Sequence, residues 1–237
     1  MRKELPGFSF DFIVDKKGPH GIAYESWLER EKLALMVVDV QNYITQKKYS
    51  GVWTADGKDE YYYKRLNSIV LPNIKKLIKQ FRSLKLCIVY TGIASHAKTL
   101  SDVPGISRKV LAEELFDVDG NQYHLYDDEY PTMIDEQIAP APEDIVISKT
   151  SSGVFCSSEI DLILRNIGLS RLVFVGGLTD ACVSSSVREA YDRGYLCTVV
   201  EDACIATSAE DHEAALRSLR KYYAWVTNTE GLLSHLR

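Results

Sequence analysis

The chain has 237 residues, 46% of them hydrophobic and 26% charged, with a formal net charge of −5. That length suits one large α/β domain able to bury its own core without covalent staples. The acidic balance speaks against non-specific nucleic-acid binding, which needs clustered Lys and Arg. No apolar run approaches the roughly 20 residues of a membrane span.

Residues 1–31 are mixed, aromatic-rich and punctuated by Pro6, Gly7, Gly18, Pro19 and Gly21. They read as an N-terminal arm packed on the body or on a partner subunit. The opening lacks the continuous apolar core of a secretory signal, which predicts a cytoplasmic protein. Residues 32–237 form the main domain. Ala34 to Val40, "ALMVVDV", is a continuous apolar run of the kind that makes a strand buried on both faces. Val70, Ile74, Leu77, Ile78 and Phe81 have helical spacing, with Pro72 marking an opening or a bend. Leu86 to Tyr90, "LCIVY", is a second strand.

Residues 92–142 are long and irregular, with a short helical patch at Val110 to Phe116. A segment of that kind between regular elements suits a lid or pocket wall. The acidic run Asp127, Asp128 and Glu129 reads as a solvated face. After Pro142 strands and helices alternate cleanly. Strands are expected at Asp144 to Ser148, Arg171 to Val175, Leu196 to Val200 and over "YAWVTN". Helices are expected through Ile160 to Ile167, stopped by Gly168, and through Val183 to Tyr191, stopped by Gly194. Ser208 with Asp211 resembles a capping box opening another helix, and a terminal helix follows the last strand. The alternation implies an α/β fold, a mostly parallel sheet of six strands covered by helices on both faces.

The cysteines are Cys87, Cys156, Cys182, Cys197 and Cys204, an odd number with no C-x-x-C pair. The histidines, His20, His96, His124, His212 and His235, make no i,i+4 pair. A disulfide framework or a metal site is therefore not expected. Nor is a nucleotide: "VGGLTD" is not G-x-G-x-x-G, and no P-loop occurs.

In a parallel sheet, the loops at the carboxyl ends of the strands line the site. Asp39 closes the first strand, Lys149 follows "DIVIS", and Cys182 follows "RLVFVGGLTDA" in the first turn of its helix. Parallel strands bring all three to one edge. Each also has an ordinary reading: Cys182 as a small core hydrophobe, Asp39 as a cap, Lys149 as a solvated loop residue. Together they suit nucleophilic catalysis. Only a thiolate attacks well, and a helix N-terminus capped by Thr179 or Asp180, with an ammonium nearby, would lower the thiol's pKa. A carboxylate in reach can take the proton and return it to a leaving amine. Gly176 and Gly177 permit a turn that aims N–H groups at an oxyanion.

The stretches "LMVVDVQN", "DIVISKTSSGVF" and "VFVGGLTDACVSSSVREAYDRGY", followed by "VVEDACIATSAEDH", resemble the isochorismatase-like cysteine hydrolases from about Leu33 onward. The resemblance implies a Rossmann-like, doubly wound sheet and hydrolysis of small amides or carbamoyl and ureido compounds through an Asp39–Lys149–Cys182 triad. It implies Cys182 as nucleophile, Asp39 as proton carrier and Lys149 as the charge that holds both. It further implies an oxyanion hole from the N–H groups of Leu178 and Cys182, a cis peptide at Gly177–Leu178, no cofactor, and a homodimer or homotetramer. Gln41, Tyr43, Phe155 and Thr179 are the expected pocket residues. No histidine lies between Lys32 and Ser95, a departure from the metal-binding nicotinamidase branch, so no metal is expected. A nicotinamide-like aromatic amide remains an alternative substrate. A non-catalytic small-molecule-binding or interaction protein on the same scaffold remains an alternative to the enzyme.

Overall fold

The computed structural model describes residues 27–49 and 59–236. The centre of the fold is β1 (Leu33–Val38), where every residue is buried. Its period-two alternation feeds two separate cores. Leu33, Leu35 and Val37 pack into one, Ala34, Met36 and Val38 into the other. The continuous apolar run is thus the direct consequence of having helices on both faces.

The helices follow in chain order. Helix α1 (Asn42–Thr45) is a single short turn after β1. Helix α2 (Asp59–Arg65) passes through a π-helical segment, Leu66–Val70, into α3 (Leu71–Ser83). Pro72 stands in the first turn of α3, directly after the π-helical segment, so the expected opening at this proline falls where the helix changes from π to α. Ile74, Leu77, Ile78 and Phe81 bury one stripe of α3 against the odd-numbered face of β1. Strand β2 (Cys87–Ile93) runs three residues further than the apolar pattern indicated, through Thr91 and Gly92 to Ile93. The helical patch of the irregular segment is α4 (Gly105–Glu113), shifted toward the N-terminus of the expected span, with Phe116 instead in an isolated bridge to Gln122.

Beyond it come β3 (Ile145–Lys149), α5 (Ile160–Ile167), β4 (Arg171–Gly177), α6 (Ser184–Asp192), β5 (Leu196–Ile205), α7 (Ala209–Tyr222), β6 (Ala224–Thr227) and α8 (Thr229–His235). Helix α5 ends on left-handed Gly168. Ser208 caps α7 by accepting from the N–H of Asp211 at 3.1 Å. Helices α5, α6 and α7 cover the even-numbered face of β1, while α3 and α8 cover the odd-numbered face.

All adjacent strands pair in parallel, in the order β3-β2-β1-β4-β5-β6. The order reverses between β1 and β4, the place where a doubly wound sheet opens a crevice at its carboxyl edge. Of the N-terminal arm, only Trp27 to Glu31 lie within the described residues, and Trp27 and Leu28 are buried in the core. Among the described residues no helix is long and apolar enough to cross a membrane.

Gly176, near the end of β4, has φ of 110°. A Cβ there would lie 2.1 Å from the carbonyl oxygen of Val38, the residue before Asp39. The close approach of β4 to β1 at the site edge therefore requires glycine. Gly176→Ala is expected to cost at least about 2 kcal/mol, because backbone conformation and space both oppose it. Urea unfolding of the two proteins measures this directly.

Candidate active site

The three strands that carry Asp39, Lys149 and Cys182 end on one edge of the sheet. Asp39 is the first residue past β1 and has a positive φ of 51°, a conformation that aspartate tolerates better than most residues. That turn sends its carboxylate into the crevice rather than on along the strand. Lys149 is the last residue of β3 and reaches back toward β1. Its Nζ lies 2.8 Å from Asp39 Oδ2, and both side chains are 0% exposed. The ammonium also donates to the carbonyl of Ser151 at 2.9 Å. The other carboxylate oxygen, Asp39 Oδ1, accepts from Thr91 Oγ1 at 3.1 Å, and the Asp39 N–H donates to the Thr91 carbonyl at 2.9 Å. The carboxylate is held on both sides.

Cys182 lies five residues beyond β4, in a π-helical turn, Thr179–Val183, that leads into α6. The expectation of an ordinary first turn capped by Thr179 or Asp180 is not met. Leu178 occupies the cap position, without a side-chain cap, and the Val183 N–H reaches back five residues to the Leu178 carbonyl at 3.1 Å. One-turn π-bulges of this kind recur at functional sites because the extra residue re-aims the side chains of the turn. The Gly177–Leu178 peptide bond is cis. The Cys182 thiol lies close enough to Asp39 and Lys149 for both to act on its proton, the carboxylate raising its pKa and the ammonium lowering it.

The electrostatics differ from the sequence expectation of a depressed thiol pKa. Burial pushes the Cys182 thiol up to about 12, the Asp39 carboxylate pushes the same way, and the Lys149 ammonium offsets only part of this. With Cys182 just 8% exposed, desolvation outweighs the neighbouring cation. The thiol therefore rests neutral near pH 7. Lys149 is itself disfavoured as a cation by burial, yet Asp39 and Cys182 more than compensate, and its pKa lies above the ordinary lysine value.

A cavity of about 670 Å³ opens over Cys182. Tyr43, from α1, and Leu178 line it, together with Ser185 and Glu189 from α6 and with parts of the 92–142 segment, α4 included. Three of the expected pocket residues do not line it. Gln41 spends its amide as a staple: it donates to the carbonyls of Ile93 and Thr132 at 3.1 and 2.6 Å and accepts from the Ile93 N–H at 2.8 Å. Thr179 is fully buried, its hydroxyl 2.8 Å from His212 Nδ1. Phe155 packs its ring against Tyr195. Nor is the acidic run simply solvated, since Asp127 pairs with His96 and accepts from Ser148 Oγ at 2.6 Å.

Several partners escaped the sequence reading. His212 connects the turn that carries Cys182 to Arg65, whose guanidinium lies 3.1 Å from its Nε2. Burial, aided by Arg65, depresses the His212 pKa to about 4, so the ring is neutral near pH 7. Its place was legible, because His212, Leu216 and Leu219 share one buried helical stripe. Glu189 stands seven residues after Cys182, two helical turns on and facing the same way, a spacing that also could have been read. Thr91 follows "LCIVY" as a further polar residue at the same strand edge. Among the described residues no three His, Cys, Asp or Glu side chains cluster as a metal site.

Comparison with known proteins gives the chain's family. The isochorismatase domain profile matches residues 33–231. The chain belongs to the isochorismatase family. It is 29% identical over 227 residues to the ureidoacrylate amidohydrolase of Acinetobacter baylyi, covering 87% of this chain and 84% of that protein. An isochorismatase family protein from Desulfovibrio vulgaris superposes with a TM-score of 0.71 at 21% identity, over 86% of this chain and 98% of the other. N-carbamoylsarcosine amidase from Thermoplasma acidophilum superposes with a TM-score of 0.62 at 22% identity, over 84% and 97%. These structural likenesses establish the doubly wound α/β fold as the family fold.

The ion pair makes a specific stability statement. Lys149→Met strands a carboxylate in the interior, and breaking a buried pair from one side costs about 3–5 kcal/mol. Adding Asp39→Asn to that variant removes the stranded charge and is expected to restore a large part of the loss. Urea unfolding of both variants tests this; a loss below about 1 kcal/mol for Lys149→Met would contradict the paired, buried assignment.

Proposed function

We propose that this isochorismatase-family protein is an amidohydrolase that cleaves a small amide, carbamoyl or ureido C–N bond through a covalent thioester on Cys182. The observation that carries the reading is the buried 2.8 Å pair of Lys149 and Asp39, with the Cys182 thiol near enough to feel both charges and lining an accessible cavity. The amidohydrolase and amidase activities of the relatives described above supply the reaction class.

The chemistry follows from the charge balance. A thiol held near pKa 12 by burial carries almost no thiolate at pH 7. The nucleophile must therefore be made in the reacting step. Asp39 takes the Sγ proton as sulfur adds to the carbonyl carbon, and Lys149, fixed beside both, offsets the negative charge as it moves between them. The carbonyl oxygen becomes an oxyanion that accepts from the Leu178 and Cys182 N–H groups. Collapse breaks the C–N bond, and Asp39 returns its proton to the departing ammonia or amine. A water then enters, gives a proton to Asp39 and attacks the thioester. The carboxylic or carbamic acid leaves, and the proton returns to sulfur.

Each residue has a distinct expected defect in an ammonia-release assay over small amides, carbamoyl and ureido compounds. Cys182→Ala is expected to be inactive, and Cys182→Ser nearly so, because a hydroxyl gives up its proton far less readily. Asp39→Asn, which cannot accept the proton, is expected to lose at least about a hundredfold in kcat, the size of a general-base contribution. Retention of more than a tenth of wild-type kcat in Cys182→Ala would overturn the covalent reading.

A further inference from the structure

The wall of the cavity over Cys182 has two unlike parts. Around the sulfur stand the polar groups already described. Most of the remaining lining is apolar, with Ile44 and Leu125 joined by Ile106, Val110 and Leu111 of α4, although Ser107 and residues 150–152 also reach it. Helix α4 contributes no buried residue to either core, and Ile106 is 93% exposed. Its apolar residues at 106, 110 and 111 recur at helical spacing and line the cavity, Leu111 also resting against the odd-numbered core while Ile106 and Val110 are in neither cluster. A stripe of this kind gains burial only when something apolar lies against it.

The charges on the wall point the same way. Among the described residues the cavity is lined by no Lys or Arg, and the one charged lining residue is Glu189. Its carboxylate is fixed, with Oε2 accepting from the N–H groups of Phe155 and Cys156 at 2.9 and 3.2 Å. Lys149 lies beneath the site with its ammonium committed to Asp39 and Ser151. A substrate carboxylate entering here would lose its hydration, find no partner cation on the described wall, and face a fixed anion.

We propose that, within the reaction proposed above, on which this inference rests, the substrate is an uncharged amide or carbamoyl compound with an apolar body that lies along α4, and that carboxylate-bearing amides and ureido acids are selected against. The cavity, at about 670 Å³, falls within the range of sites that enclose a small organic molecule. Each methylene buried against the α4 stripe should raise kcat/KM by roughly three- to fourfold.

The test compares linear primary amides from acetamide to octanamide with dicarboxylic acid monoamides of matching length. Ammonia release by the wild-type protein is one readout, and the thermal shift of the Cys182→Ala protein, which can bind but not react, is the other. The expected result is a rise of at least tenfold from acetamide to hexanamide, with the carboxylate-ended partner of hexanamide at least thirtyfold poorer. Val110→Ser should shrink the acetamide-to-hexanamide gain at least threefold. A flat dependence on chain length, or preference for the carboxylate-ended series, overturns the inference even if hydrolysis occurs. Length-dependent thermal shifts without any hydrolysis would instead preserve the inference and overturn the proposed reaction. Neither hydrolysis nor length-dependent shifts would overturn both.

Discussion

A carboxylate and an ammonium buried together at the carboxyl edge of the sheet govern the arrangement of everything around them. Neither Asp39 nor Lys149 could occupy a fully buried position alone, because the cost of removing a lone charge from water is larger than the stability of a typical domain can absorb. The pair is tolerable because the fold supplies further partners: the Thr91 hydroxyl for one carboxylate oxygen and the Ser151 carbonyl for the ammonium. The strand order then matters. Lys149, at the end of β3, must extend past the end of β2 to reach Asp39 after β1, and it is β2 that contributes Thr91. The parallel sheet holds the charges as much as the charges mark the sheet's edge.

The same burial sets the character of the thiol. A cysteine on an exposed helix N-terminus beside a cation would ionise readily. Here the sulfur is enclosed by apolar packing from the even-numbered core, with Val183 and Val187 among its neighbours in that cluster. Desolvation then exceeds the help from Lys149, and the proton stays on sulfur until a base removes it. The adjacent carboxylate thus has a role that a pre-formed thiolate would not need. In the proposed reaction, a buried acceptor beside a buried thiol couples attack to proton transfer, whereas a surface thiolate would react with any electrophile that came by.

Much of the fold could be read from the chain because its apolar patterns are unambiguous. The uninterrupted "LALMVV" is typical of a strand covered on both faces, which it forms, and Gly168 and Gly194 end their helices where a left-handed residue is needed. Parallel strands then carry the residues after β1, β3 and β4 to one edge without further assumption. What could not be read depended on non-local geometry. Periodicity does not distinguish a π turn from an α turn over five residues, so the pattern points to a cap at Thr179 or Asp180 rather than at Leu178. Gln41 and Thr179 stand next to the site in sequence, but their side chains turn to Ile93, Thr132 and His212 instead of the cavity. The size of a desolvation effect is likewise invisible until the packing around a sulfur is known, which is why the direction of the Cys182 shift opposed expectation.

The central claim is that one sulfur, made reactive by one carboxylate, carries the substrate's acyl group during turnover. The most direct measurement is to mix the protein with an amide substrate, quench in acid within a turnover, digest, and weigh the peptides. The account predicts the acyl mass on the peptide containing Cys182 and on none containing the exposed Cys156, with the adduct vanishing as substrate is exhausted. Turnover without any adduct on Cys182, or with the acyl group on another residue, would contradict it.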